Sequence, residues 1–242
     1  MDRRPRERVA LVLFDIDGTL VTAGGAGRRA MLAAGTALYG DAFSVDGVDP
    51  SGKLDPAIFA ELAGLQPHLD LHVQAHDFQE RYLAAMRREV HRLRALPGVH
   101  ALLARLVREP GVALGVLTGN VRAVAALKLE ATGLVRAGEP DPFAVRVCGD
   151  EAAERADLVP LARERFLASR PDGARRLHLL LVGDTPRDVE AGRAHGVPVL
   201  GVATGHWSAE ALLEAGAHRV VPDLRDPAPL LELLSGTLEP SP

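Results

Sequence analysis

Leu11-Val12-Leu13-Phe14-Asp15-Ile16-Asp17-Gly18-Thr19-Leu20 decides the reading of this chain. Four apolar residues run into two aspartates one residue apart, and then into Gly-Thr. The apolar run predicts a strand buried on both faces. Carboxylates at the end of such a strand are costly unless they meet a cation or do chemistry. Open α/β sheets keep their sites at the carboxyl ends of their strands, which is where Asp15 and Asp17 fall.

Composition sets the bounds. The 242 residues are 47% hydrophobic and 25% charged, an ordinary globular balance that fits one sizeable domain, or a core with a small insert. A net charge of −4 argues against general affinity for nucleic acid. No apolar run approaches the roughly 20 residues of a membrane helix. The basic start and the short apolar stretch after it do not make a signal peptide, because Asp15 and Asp17 interrupt the stretch. The single cysteine, Cys148, excludes an intrachain disulfide and makes a reducing cytoplasm the expected setting. It is expected as a small packed residue at the end of a strand. Of the 28 basic residues only Lys53 and Lys128 are lysines, which marks both for attention.

From Pro97 onward the apolar spacing alternates between helical and extended periods. It predicts strands at residues 112–117, 143–148, 177–182, 197–202 and 219–221. Helices are predicted between and after them, and a frayed tail from residue 236. This alternation predicts an α/β fold, a doubly wound parallel sheet of Rossmann-like type. Residues 20–96 read differently. Helical periodicity near residues 28–39, 56–63 and 73–93 predicts an all-helical cap inserted after the first strand, with no convincing strand. The expected division is a core of residues 1–21 and 96–242 and a cap of residues 22–95. Gly24-Gly25-Ala26-Gly27-Arg28 is expected to be the hinge between them.

Asp15-Ile16-Asp17-Gly18-Thr19 after an apolar strand resembles the first motif of the haloacid dehalogenase-like phosphohydrolases. The cap after it resembles the small helical cap of that family's phosphoglycolate phosphatase-like branch. The resemblance implies that Asp15 is a nucleophile that forms an aspartyl-phosphate. It implies that Asp17 protonates the leaving oxygen and then activates water, while its backbone carbonyl binds Mg²⁺. The residue types suit this: a carboxylate is a competent nucleophile, and a second carboxylate nearby can serve as acid and then base. A divalent cation offsets the charge of the substrate phosphate.

Leu114–Asn120 resembles the family's second motif, which implies that Thr118, Gly119 and Asn120 hold the phosphate. A helix starting near Val121 could add its positive end. Gly183-Asp184-Thr185-Pro186-Arg187-Asp188 resembles the fourth motif and implies Asp184 as a direct metal ligand, with Asp188 supporting it. A small set of oxygen ligands suits Mg²⁺. Helix capping is the ordinary alternative for both acids. The third motif, a lysine or arginine, has two candidates. Lys128 is preferred to Arg155 because lysine is so rare here, although a helix rises about 12 Å from Val121 to Lys128 and must lean across the site. Arg28 is the expected contact to the substrate's far end, with Lys53 and Asp55 beside it. Gly52-Lys53-Leu54-Asp55 resembles a cap string of some relatives, with Leu54 where they carry threonine. His68, His72, His76, His91 and His100 lack the compact spacing of metal ligands.

The implied function is a Mg²⁺-dependent phosphatase acting on a small phosphorylated metabolite, phosphoglycolate-like or a sugar phosphate. A phosphosugar mutase on the same core and a catalytically silent binding protein are the alternatives. Asp17 argues against a dehalogenase, and the context of Lys53 argues against a phosphonate hydrolase. The expected partner is the metabolite, with neither nucleic acid nor membrane. Monomer and homodimer are both compatible with the sequence.

Overall fold

The computed structural model describes residues 8–66, 75–170 and 176–238. Strand β1, Arg8–Phe14, lies at the centre of the fold. Its chain turns through a two-residue strand, β2 (Val21–Thr22), into helices α1 (Ala26–Tyr39), α2 (Asp55–Leu65) and α3 (Ala75–Glu89). It returns through β3 (Arg94–Ala95). From there helices and strands alternate: α4 (Val99–Leu106), β4 (Val112–Leu117), α5 (Arg122–Ala131), β5 (Phe143–Val147), α6 (Leu158–Ala168), β6 (Arg176–Gly183), α7 (Pro186–Ala194), β7 (Val199–Val202), α8 (Ala209–Ala215), β8 (Arg219–Val221) and α9 (Ala228–Leu238).

Six strands form one parallel sheet in the order β5-β4-β1-β6-β7-β8. Both faces are covered, and β1 shows why its sequence is apolar without interruption. Val12 and Phe14 enter a core layer with Leu102, Leu106, Val124 and Leu230. Leu11 and Leu13 enter the other, with Leu158, Phe166 and Val189. This is the doubly wound α/β sheet with a helical insert after the first strand. Phe14 pairs with Val116 on one side and with Val182 on the other, so the ends of β4, β1 and β6 are level. The strand order reverses across these three strands, and a crevice forms there.

Three expectations need correction. The insert does contain strand: β2 and β3 pair antiparallel, Val21 with Ala95 and Thr22 with Arg94, where the chain leaves and re-enters the core. Two residues are too few to carry a periodicity. The glycine-rich stretch is only partly free, because Gly25 (φ 78°) caps α1 and Gly27 and Arg28 lie in its first turn. The last helix reaches Leu238, past the expected start of a frayed tail. His68, His72, the first residues of the third helical stretch and the last four residues of the chain lie outside the described residues. Cys148 is buried directly after β5, where burial pushes its thiol up to about 11.

Candidate active site

The Asp15 amide still belongs to the sheet and donates to the Val182 carbonyl at 2.9 Å. The chain then turns tightly, with the Leu20 and Val21 amides both donating to the Ile16 carbonyl. Gly18 adopts φ 77°, and a Cβ there would lie 2.1 Å from an Asp184 carboxylate oxygen. A Cβ on Gly205, in the loop after β7, would lie 1.9 Å from the same carboxylate. Two backbone turns therefore close on Asp184, and only glycine leaves the space. The Thr19 hydroxyl donates to Asp184 Oδ1 at 3.3 Å.

Asp184 follows β6, and Asp188 sits in the first turn of α7. Thr185 caps that helix reciprocally. Its amide and hydroxyl donate to Asp188 Oδ2 at 3.1 and 2.7 Å, and the Asp188 amide returns to the hydroxyl. The capping alternative is thus real for Asp188, but its other oxygen is turned inward. One oxygen each from Asp15, Asp184 and Asp188 lies within 4.8 Å of the others, and all three residues are buried. Arg155, buried on a 3₁₀ turn before α6, donates to Asp15 Oδ1 at 2.8 Å and also to Asp188 Oδ1. Burial lifts Asp15 well above the usual carboxylate range, although the Arg155 guanidinium pulls the other way. Burial, and then the charges of Asp15 and Asp188, lift Asp184 as well. Three buried acids facing one guanidinium leave an uncompensated negative charge. These hard oxygen donors fit a divalent cation such as Mg²⁺. The Asp17 carboxylate stands apart from this group.

Thr118 and Asn120 line the same cavity from the end of β4. The Thr118 hydroxyl accepts from the Asn120 amide at 3.3 Å, and the Asn120 Oδ1 is buried without a partner among the described residues. The positive end of α5 is largely occupied: the Val121 amide donates to Asp55 Oδ2 at 2.8 Å and the Arg122 amide to Asp150 Oδ1 at 3.0 Å. Further along α5, Lys128 does lean across. Its buried ammonium bonds both carboxylate oxygens of Asp17 at 2.7 and 2.5 Å. Lys128 and Arg155 were alternatives for one role. The structure brings both into the site, on different carboxylates.

The insert closes over these groups. The Asp55 amide donates to the Gly119 carbonyl at 2.7 Å, Arg155 donates to the Gly52 carbonyl at 3.2 Å, and Arg187 donates to the Ser51 carbonyl at 2.5 Å. A Cβ on Gly119 would stand 2.0 Å from the Lys53 carbonyl oxygen. Asp55 lines the cavity, with one carboxylate oxygen turned to the Val121 amide of the core loop. Its burial, eased by Lys128, lifts its carboxyl to about 7. Lys53 pairs with Glu61. Arg28 lines the cavity, but its guanidinium is held by the Val45 carbonyl at 2.8 Å and Asp46 at 2.6 Å. The cavity, open to solvent on one side, measures about 730 Å³. Thr204, Gly205, His206 and Trp207, after β7, also line it. Sequence reading passed over them, although a loop at a strand's carboxyl end was the signal available.

No helix among the described residues is long and apolar enough to cross a membrane. Residues 12–202 match the model of the haloacid dehalogenase-like hydrolases. A phosphoglycolate phosphatase of Agrobacterium fabrum is 31% identical over 202 residues, 81% of each chain. One of Yersinia pseudotuberculosis is 26% identical over 228 residues, covering 93% of this chain and 94% of that one. A hydrolase from Pseudomonas syringae superposes with a TM-score of 0.68 at 22% identity, over 93% of this chain and 99% of its own. With the family model spanning β1 to β7 and these relatives covering most of the chain, the protein belongs to the haloacid dehalogenase-like hydrolases, on their phosphoglycolate phosphatase-like branch.

Proposed function

We propose that the protein is a Mg²⁺-dependent phosphatase that hydrolyses a small phosphorylated metabolite through an aspartyl-phosphate on Asp15. One observation carries this reading: Asp15, Asp17, Thr118, Lys128 and Asp184 line one cavity at the sheet's reversal point, with Asp188 in the same acidic group as Asp15 and Asp184. The names of the sequence relatives make phosphoglycolate the reference substrate; sugar phosphates are the second class to test. Asp15, Asp184, Asp188 and the Asp17 carbonyl would hold the ion. Bound Mg²⁺ would offset charge on the phosphate and on Asp15.

An Asp15 oxygen attacks phosphorus, and the bond to the alcohol oxygen breaks. Asp17 gives its proton to the departing alkoxide. Water then attacks the phosphorus of the aspartyl-phosphate while Asp17 takes the water's proton. The acyl oxygen leaves, restoring Asp15 and releasing inorganic phosphate. Arg155 fixes Asp15 through one oxygen, and the other accepts no hydrogen bond among the described residues. Lys128, Thr118 and the Gly119 amide hold the phosphate oxygens as charge builds. Positioning and fixed charge supply most of the rate. Residues 1–21 and 96–242 act as the core, and residues 22–95 as a cap that excludes water. The proposed setting is the cytoplasm, in keeping with a lone cysteine.

The test is phosphate release from a panel of phosphorylated metabolites, with and without Mg²⁺, by wild type and Asp15→Asn. Metal-dependent release that disappears in the variant is the expected result. No release by folded, Mg²⁺-loaded wild type would turn the reading towards the phosphosugar mutase or the silent protein.

A further inference from the structure

The cavity extends well past the phosphate site. At about 730 Å³ it matches sites that take sizeable organic ligands, far larger than a two-carbon acid. Beyond the catalytic loops its wall comes from the insert: Met31 on α1, Val45 and Val48 on the following loop, Ile58 and Leu62 on α2, and Tyr82 on α3. All six are buried.

The charged groups on this wall are already engaged. Arg28 is held by Val45 and Asp46, Lys53 by Glu61, and Asp55 by the Val121 amide. Asp49 accepts from the Ser51 amide and lies near Arg187. On the core side, Lys128 and Arg155 are bound to carboxylates, and the remaining imidazole, His206, is exposed. A substrate carboxylate entering the apolar end would lose its water and find no unpaired cation there among the described residues.

Tyr82 supplies the exception in chemistry. Its side chain is buried, yet its hydroxyl has no hydrogen-bond partner among the described residues. The hydroxyl lies over the first turn of α1, 3.6 Å from where a Gly27 Cβ would stand. Burial, with Asp55 and Asp17 nearby, holds it neutral, so it can both donate and accept.

We infer, resting on the phosphatase reading above, that the substrate's alcohol part is uncharged and largely apolar, seats against these six side chains, and offers one hydrogen-bonding atom to the Tyr82 hydroxyl. The enzyme then prefers phosphomonoesters of neutral apolar alcohols to phosphoglycolate and to sugar phosphates.

The experiment compares kcat/KM of the Mg²⁺-loaded enzyme for phosphoglycolate, glucose 6-phosphate, n-hexyl phosphate and 6-hydroxyhexyl phosphate. The two hexyl esters should exceed phosphoglycolate at least about tenfold, which corresponds to about 1.4 kcal/mol. Tyr82→Phe should raise KM for the hydroxyhexyl ester and bring the two hexyl esters together. Val48→Arg, which adds a free cation, should shift the ratio at least about tenfold towards phosphoglycolate. Phosphoglycolate or glucose 6-phosphate outrunning both hexyl esters would overturn this inference and leave the phosphatase reading standing. Release from none of the four would overturn both.

Discussion

Arg155 and Lys128 carry the same charge into one site and do different work. Arg155 bonds Asp15 and Asp188 and lies near Asp184, so its removal leaves these three buried carboxylates without a paired cation among the described residues. Breaking such a pair costs about 3–5 kcal/mol. Arg155→Met should lose stability on that scale in urea unfolding, and millimolar Mg²⁺ should restore part of it. A loss untouched by Mg²⁺ would speak against an ion site among these acids. Lys128 meets Asp17, whose side chain is 40% exposed, so the partner left behind can be solvated. Lys128→Met should therefore fold nearly as well as wild type while kcat falls roughly 10²–10³-fold, the usual effect of losing one transition-state donor. The two cations were unequally legible. Lysine is so scarce that Lys128 stood out in the sequence, whereas Arg155 was one arginine among many. Its role depends on a 3₁₀ turn that carries no sequence period.

The loop before α2 and the loop after β4 form a latch between insert and core. Gly119→Ala places a Cβ against the Lys53 carbonyl, while the rest of its surroundings tolerate one. The sheet should remain intact and the insert should fail to seat. Thermal stability near wild type with kcat/KM down at least about tenfold is the expected pattern; equal losses in both would mean that the clash unfolds the core. Asp55 makes the latch sensitive to pH. An unfolded aspartate ionises near 4, and this one near 7. A raised carboxyl contributes its full stability below the unfolded value and loses it as pH rises through the folded one. Asp55→Asn keeps an acceptor for the Val121 amide and removes the titration. Its melting temperature should gain on wild type as pH rises from about 4 to about 7 and level off above that, and a gap constant with pH would contradict this. The three helices of the insert were readable from their period. The β2–β3 ribbon and the latch were not, because they consist of two-residue pairings and backbone contacts between segments distant in the chain.

Across the whole molecule, the sheet explains why short motifs far apart in sequence act together. β1, β4 and β6 are adjacent in space and end at one level, so Asp15, Thr118 and Asp184 arrive together. Uninterrupted apolar runs ending in polar residues made these strands, and the acids beyond them, legible from sequence. The loop after β7 carries no acid to mark it, although it holds His206 and Trp207, and its place on the cavity wall came only from the folded chain. The central claim is that Asp15 takes the phosphoryl group. Its most direct test is mass spectrometry of Mg²⁺-loaded enzyme, mixed with a turned-over phosphomonoester and quenched in acid during the first turnover. A phosphoryl group on Asp15, absent from Asp15→Asn, is the predicted result. Full turnover with Asp15 unmodified, or the phosphoryl group on another residue, would contradict the account.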